Sequence, residues 1–177
     1  LDESSIKEKQ LKDPSNVKFM RDKRFMAFLE NSLKCSEVKT ENYDAIYLSG
    51  GHGTMFDFRQ SKDLQKLLTE FHKANKVLSG VCHGVAGYID TKDAMGNLVV
   101  KSKRITGFSN FEDAIGGSKK FMPFLLETEL KKNGADYHKN LLPFTERIEV
   151  DGKLITGQNP QSAKGVGKAV LEILRKG

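Results

Sequence analysis

Gly80-Val81-Cys82-His83-Gly84 puts a nucleophile-type residue between glycines, where a short apolar run (Lys76 to Cys82) gives way to a predicted helix (His83 to Ile89). This is the G-x-S-x-G nucleophile-elbow pattern with Cys in place of Ser. The turn is so tight that side chains two residues either side of the nucleophile are expected to collide with it. The nucleophile itself is held in a strained backbone geometry. At a helix N-terminus the macrodipole and free N–H groups favour thiolate over thiol, so the pattern predicts a lowered pKa for Cys82. A buried structural cysteine that merely ends a strand would leave the same five residues.

A second glycine cluster, Gly50-Gly51-His52-Gly53, closes another apolar run, Tyr43 to Ser49. Backbone N–H groups of such a turn can stabilise a developing oxyanion, beside the N–H of the residue after the nucleophile. Glycine is also the default residue of a plain strand-ending turn. His52 either touches substrate or holds the loop. His83, next to Cys82, is the natural proton partner, and a third group should orient its ring. Glu112 and Asp113, after another short strand, are the candidates, although acids also favour a helix's first turn without any chemical role. His72 falls on a helix face and His138 in a polar connection. The spacing of Cys35 and Cys82 fits no zinc module, and no H-x-x-x-H occurs, so no metal set is read. Gly165-Val166-Gly167-Lys168 fails as a phosphate loop because Ser162 and Ala169 stand where Gly and Ser/Thr are needed. No cofactor signature remains.

The elements that must position these residues follow from periodicity. Asp13-Pro14-Ser15 signals a helix start, and Val17, Met20, Arg21, Arg24, Phe25, Phe28 and Leu29 predict one helix from Pro14 to Leu33. Tyr43–Ser49 and Lys76–Cys82 read as buried strands, with a helix from Asp63 to Ala74 between them. Leu98–Val100 and Arg104–Gly107 read as short strands, and Phe121–Lys132 as an amphipathic helix closed by Asn133-Gly134. Glu146–Val150 and Lys153–Thr156 flank Asp151-Gly152, a hairpin turn. Gln161–Lys176 is the last helix. Strands alternating with helices predict an α/β sandwich around a mainly parallel sheet, as one domain over residues 1–177.

The chain's 177 residues, 38% hydrophobic and 29% charged, suit a globular domain. No apolar run is long enough to span a bilayer. Two cysteines are too few for a disulfide scaffold and suit a reducing, cytoplasmic compartment. The net charge of +6 invites a nucleic-acid reading, but nearly all the excess lies after residue 100 as short pairs such as Lys119-Lys120 and Lys131-Lys132. A nucleic-acid footprint needs clustering on one face, so a solvated surface is the better reading. Neither a nucleic-acid nor a membrane partner is expected.

With these motifs in hand, the chain resembles the ThiJ/PfpI superfamily, related to class I glutamine amidotransferases. Within it, Gly50-Gly51-His52-Gly53 followed by Asp57, then Val81-Cys82-His83-Gly84, looks like the glyoxalase III and heat-shock chaperone branch. The likeness runs from about residue 11 to the end. It includes Ile105-Thr106-Gly107-Phe108, Pro123-Phe124-Leu125-Leu126-Glu127 and Leu154-Ile155-Thr156-Gly157-Gln158-Asn159-Pro160.

The resemblance implies a flavodoxin-like three-layer sandwich and a homodimer. It implies Cys82 as nucleophile, His83 as its partner, Glu112 in the acidic position, and backbone N–H groups of Gly51 and His83 as oxyanion donors. The implied activity is that of a cofactor-independent lyase, turning methylglyoxal into lactate without glutathione or metal. A stress chaperone, an oxidation sensor at Cys82 and a cysteine peptidase-like hydrolase are the alternatives. Two departures from the branch stand out. Val85 replaces its usual Pro, which frees a backbone N–H and is expected to loosen the helix start. The family also opens with a strand–helix–strand segment supplying a proton-shuttling Glu, which no residue here matches, Glu3 and Glu8 lying in the wrong context. A separate or cleaved N-terminal piece is therefore expected to complete the sheet.

Overall fold

The computed structural model describes Lys12 and residues 14–176. The chain divides into two compact units, Leu1–Val38 and Lys39–Gly177. The single domain expected over residues 1–177 thus spans both, and the second carries the sheet and every candidate site residue. Asp13, Glu3 and Glu8 lie outside the described residues.

In the first unit the sequence periodicity predicts one helix, and two form: α1 (Pro14–Arg21) and α2 (Lys23–Glu30). Asp22 makes the break. Its backbone is extended, and its carboxylate accepts from the N–H groups of Arg24 and Phe25 at 3.0 and 3.1 Å. A short acidic side chain that can cap a new helix competes with the continuing one, which periodicity does not register. The rings of Phe19 and Phe25 meet across this break at 4.8 Å.

The second unit is built on a four-stranded sheet. In chain order it holds β1 (Ala45–Leu48), α3 (Thr54–Asp57), α4 (Lys62–Lys73), β2 (Val77–Val81), β3 (Arg104–Ile105), α5 (Asn110–Ile115), α6 (Leu126–Lys132), β4 (Asp136–Tyr137), β5 (Ile148–Asp151), β6 (Leu154–Gly157) and α7 (Ala163–Lys176). The strand order is β1-β2-β6-β5, with β1, β2 and β6 parallel and β5 antiparallel to β6. The pair β3–β4 is parallel and separate.

α4 shows why these residues choose a helix. Ser61 caps it by accepting from the Leu64 N–H, and Leu64, Leu67, Leu68 and Phe71 fall on one buried face. Asn75, at φ +52°, ends it in the left-handed conformation that Asn tolerates. α7 buries Val166 and Val170 against Val77 and Ile155 on one face of the sheet. α4 and the segment after β2 cover the other face, where Leu48 lies beside Leu68 and Gly87. Helices thus cover both faces of a mainly parallel sheet, the flavodoxin-like arrangement expected.

Four local expectations change. In place of the helix expected over His83–Ile89 there is a 3-10 helix, Cys82–Tyr88, every residue of it buried, with Ile89 just past its end. Leu98–Val100 forms a turn rather than a strand, with an isolated bridge from Lys92 to Leu98. The helix expected from Phe121 begins only at Leu126, because Met122 precedes Pro123 and is extended (φ −73°, ψ 133°). In the hairpin Asp151 pairs with Leu154, so the turn is Gly152-Lys153, with φ +61° at Gly152, the pattern of a turn with glycine first.

Candidate active site

Parallel pairing sets the site. Leu48 stands opposite Gly80, so β1 and β2 end side by side and deliver their glycine loops to one crevice at the carboxyl end of the sheet. The backbone of Cys82 has φ +58°, a left-handed geometry that costs a non-glycine residue about 1–2 kcal/mol. Packing holds it there. The hydroxyl of Tyr88, at the far end of the 3-10 segment, donates to the Ser79 carbonyl at 2.7 Å, and both residues are fully buried.

The glycines are needed, for a reason other than the expected one. A Cβ on Gly84 would lie 2.5 Å from the Ser49 oxygen and 2.6 Å from that of Leu48, so the end of β1, rather than the nucleophile, excludes a side chain there. The glycine that Cys82 excludes is Gly50, whose Cβ would lie 2.6 Å from the Cys82 Cβ. Each glycine loop therefore makes room for the other. Val85 is fully buried beside Gly107 in this packing.

His83 is buried with both nitrogens engaged. Nδ1 lies 3.7 Å from the Cys82 Sγ, and Nε2 lies 3.1 Å from Asp113 Oδ1. Ser118 donates to the same Oδ1 at 2.7 Å. A proton on Nε2 facing the carboxylate leaves the Nδ1 lone pair facing the thiol, the tautomer needed to take its proton. Burial would raise the Asp113 carboxyl, but hydrogen bonds from His83 and Ser118 outweigh it and hold it below its ordinary value.

Glu112, to which the resemblance gave the acidic place, does not meet His83. It caps α5 through Ser109, and accepts from the Phe144 N–H at 2.9 Å and from the side chains of Gln158 and Asn159 at 3.0 and 2.9 Å. Burial pushes its carboxyl up, and these donors together hold it below the usual range. The residues offered the acidic pair and the resemblance chose Glu112, but one residue's rotation around a capped helix start brings Asp113 to the histidine instead.

The thiol also departs from expectation. Burial pushes Cys82 up to about 11, against the backbone N–H groups of His83 and Gly51, which favour the thiolate. The carboxylates of Glu112 and Asp113 add to the rise. The helix-end argument gave the sign of the backbone contribution and missed the larger cost of removing a charge from water. A value this high favours the thiol over the thiolate at neutral pH. The two expected oxyanion donors, the N–H groups of Gly51 and His83, both favour the charged form of the sulfur.

A cavity of about 480 Å³ opens onto this sulfur. Gly50, Gly51 and His52 line it, while Gly53 sits behind them as the residue before α3. His52 is exposed, its ring 5.1 Å from that of His83. Much of the remaining wall comes from residues to which sequence reasoning gave no role, among them Tyr47, Phe108, Phe144, Pro160 and Ala163. Phe144 also has a left-handed backbone, φ +57°, with its N–H held by Glu112. No periodic signal marks it, since residues 139–145 form no regular element.

Residues 5–173 match the DJ-1/PfpI family. Glyoxalase 3 of Candida albicans is 36% identical over 152 residues, covering 83% of this chain and 64% of that protein. The glutathione-independent glyoxalase HSP31 of Saccharomyces cerevisiae is 31% identical, over 98% of this chain and 76% of that one. A probable glutathione-independent glyoxalase of Schizosaccharomyces pombe is 32% identical, with 87% of this chain and 62% of its own length matched. The chain thus spans less than two thirds of the Candida albicans and Schizosaccharomyces pombe relatives. Among solved structures, glyoxalase III from Candida albicans superposes with a TM-score of 0.87 at 31% identity, covering 97% of this chain and 74% of that one. The 24 kDa Rapid Encystment Protein of Francisella tularensis gives 0.88 at 36%, with 97% and 75% covered.

Proposed function

Since the chain belongs to the DJ-1/PfpI family, we propose that it is a glutathione-independent glyoxalase, converting methylglyoxal and related 2-oxoaldehydes to 2-hydroxy acids. The observation that carries this reading is the Cys82–His83–Asp113 chain at the floor of a small apolar-walled cavity. Relatives at 31–36% identity bear the glyoxalase name and support the substrate class.

The chemistry divides among these residues. Cys82 Sγ attacks the aldehyde carbon while its proton passes to His83 Nδ1, and Asp113 stabilises the imidazolium through Nε2. The N–H groups of Gly51 and His83 hold the developing oxyanion. Protonation of that oxygen gives a hemithioacetal and returns His83 to its neutral form. His83 then carries the proton from the former aldehyde carbon to the neighbouring carbonyl carbon, while the remaining O–H proton moves to the ketone oxygen. The substrate is thereby oxidised at one carbon and reduced at the other, and a 2-hydroxy thioester results. Water cleaves the thioester, releasing the acid and restoring the Cys82 thiol, so the balance is aldehyde plus water to acid. Among the described residues His83 is the proton carrier within reach of the sulfur, and no external oxidant or reductant is needed. Tyr47, Phe108 and Phe144 suit a short apolar substituent on the substrate. Cytoplasmic residence and a homodimer are part of the same reading.

Rates with a panel of 2-oxoaldehydes test it. Cys82→Ala is expected to lose turnover by about a thousandfold or more, and normal methylglyoxal turnover by that variant would sink the proposal. A second reading, a stress chaperone, draws on exposed apolar side chains, notably Leu141 at 96% and Leu142 at 70% exposure. Under it Cys82→Ala keeps its suppression of client aggregation.

A further inference from the structure

We infer that the catalytic crevice is also a binding site for one transition-metal dication of the zinc class, held by His52, His83 and Asp113, and that the bound ion keeps the site inactive. Ligand spacing in the sequence gave no such set, because the three residues come from three separate strand ends. The fold assembles them. One ligating atom from each lies within 4.8 Å of the other two.

The geometry is close to that of a metal shell. Metal–ligand bonds of about 2.0–2.1 Å put neighbouring ligands of a tetrahedral ion about 3.3 Å apart, and His83 Nε2 already stands 3.1 Å from Asp113 Oδ1. The third ligand must close in by up to about 1.5 Å. His52 can do so by turning its exposed side chain, while its loop stays tied by the N–H groups of Thr54, Met55 and Phe56, which donate to the carbonyls of Gly51, His52 and Gly53.

A second observation points to a ligand. Asp113 is fully buried, and its other oxygen, Oδ2, has no hydrogen-bond partner. A buried carboxylate oxygen without a donor is unusual, and it leaves Asp113 a lone pair that no neighbour occupies. Two imidazoles and one carboxylate select zinc, cobalt or nickel over magnesium or calcium, which prefer shells of oxygen. His52 and His83 both line the cavity.

Binding there conflicts with turnover. An imidazole that gives its Nε2 lone pair to a metal carries its proton on Nδ1, the nitrogen facing Cys82, and can no longer accept the thiol's proton. Asp113 is drawn off the histidine at the same time. The inactivation clause rests on the glyoxalase reading; the binding clause does not.

The test begins with protein stripped by EDTA and desalted, then titrated with Zn²⁺ against a chromophoric chelator. One ion per chain is expected, with no displacement by Mg²⁺. His52→Ala should fold normally by circular dichroism and bind Zn²⁺ about tenfold or more weaker, and Asp113→Asn should weaken binding likewise. Cys82→Ser should titrate as wild type. An unchanged His52→Ala titration, no uptake by wild type, or binding lost in Cys82→Ser would overturn the site. Stoichiometric Zn²⁺ should abolish methylglyoxal turnover, and EDTA should restore it; turnover unaffected by a bound ion overturns the inactivation. A metal-free protein that turns over no 2-oxoaldehyde yet binds Zn²⁺ through His52 removes the glyoxalase reading and leaves the site standing.

Discussion

The two ends of β2 carry two cavities made from much the same strands, and they behave as opposites. At the carboxyl end lies the crevice around Cys82, with apolar walls, a strained cysteine and buried titratable groups. At the amino end lies a cavity of about 300 Å³ lined by His72, Lys76, Lys103, Asp151 and Lys153 among others. The second is far richer in charge, yet its ammonium groups are already taken. Lys103 pairs with Asp151 at 2.9 Å, Lys153 donates to the Asn75 carbonyl at 2.5 Å, and Lys76 donates to the carbonyls of Thr40 and Tyr43. These bonds tie the turns and strand starts together. Charge that finds its partner locally acts as glue, whereas reactivity needs a group held away from water with one face left open.

That contrast can be tested in steps of decreasing effect. Asp113→Asn should cut turnover about a hundredfold or more, because an amide no longer fixes the His83 tautomer. Intact turnover in this variant, alongside loss in Glu112→Gln, would return the acidic role to Glu112. Gly84→Ala should destabilise the fold by about 3 kcal/mol in urea unfolding, since its new methyl meets two backbone carbonyls. At the other end Gly152→Ala meets no neighbour, and only its positive φ is penalised, so about 1 kcal/mol is expected.

Glu112→Gln should cost about 1–2 kcal/mol of stability near neutral pH, since a charged acceptor of several hydrogen bonds is lost. The pH dependence has a definite sign. A carboxyl held below its ordinary 4.5 when folded stabilises the protein above that value and loses its contribution as the pH falls through the folded value. The gap between wild type and Glu112→Gln should therefore be full above about pH 5 and close below it. Lys103→Ala is the smallest change: about 0.5 kcal/mol or less, with turnover untouched.

Much of the carboxyl-end crevice was legible in the sequence. A strand-ending pentapeptide around Cys82, a second glycine loop and an adjacent histidine mark themselves through local backbone demands, and the fold brings all three to one cavity. Long-range placement was not legible. Asp113 and Glu112 are neighbours of one chemistry, and only the turn of a capped helix start decides which faces His83. Phe144 joins the cavity because Glu112 holds its N–H from 32 positions away, a contact with no periodic trace. The thiol's pKa failed for a related reason: the backbone dipoles are local and can be read, whereas burial is a property of everything packed around them. The fold shows the same division. α4 and the hairpin strands follow their patterns, while the break at Asp22 and the late start of α6 come from single residues that override a period.

The bond from Tyr88 to Ser79 has a consequence for how the protein wears out. It closes residues 79–88 into a loop whose two anchoring atoms are sealed from solvent, so no water stands ready to replace it. Cys82 sits within that loop and cannot slip out of its tense conformation by fraying at an end. Heat should therefore spare the nucleophile's seat until the whole sheet gives way. Loss of activity on warming should follow a single step coincident with melting, with no earlier, gradual decline.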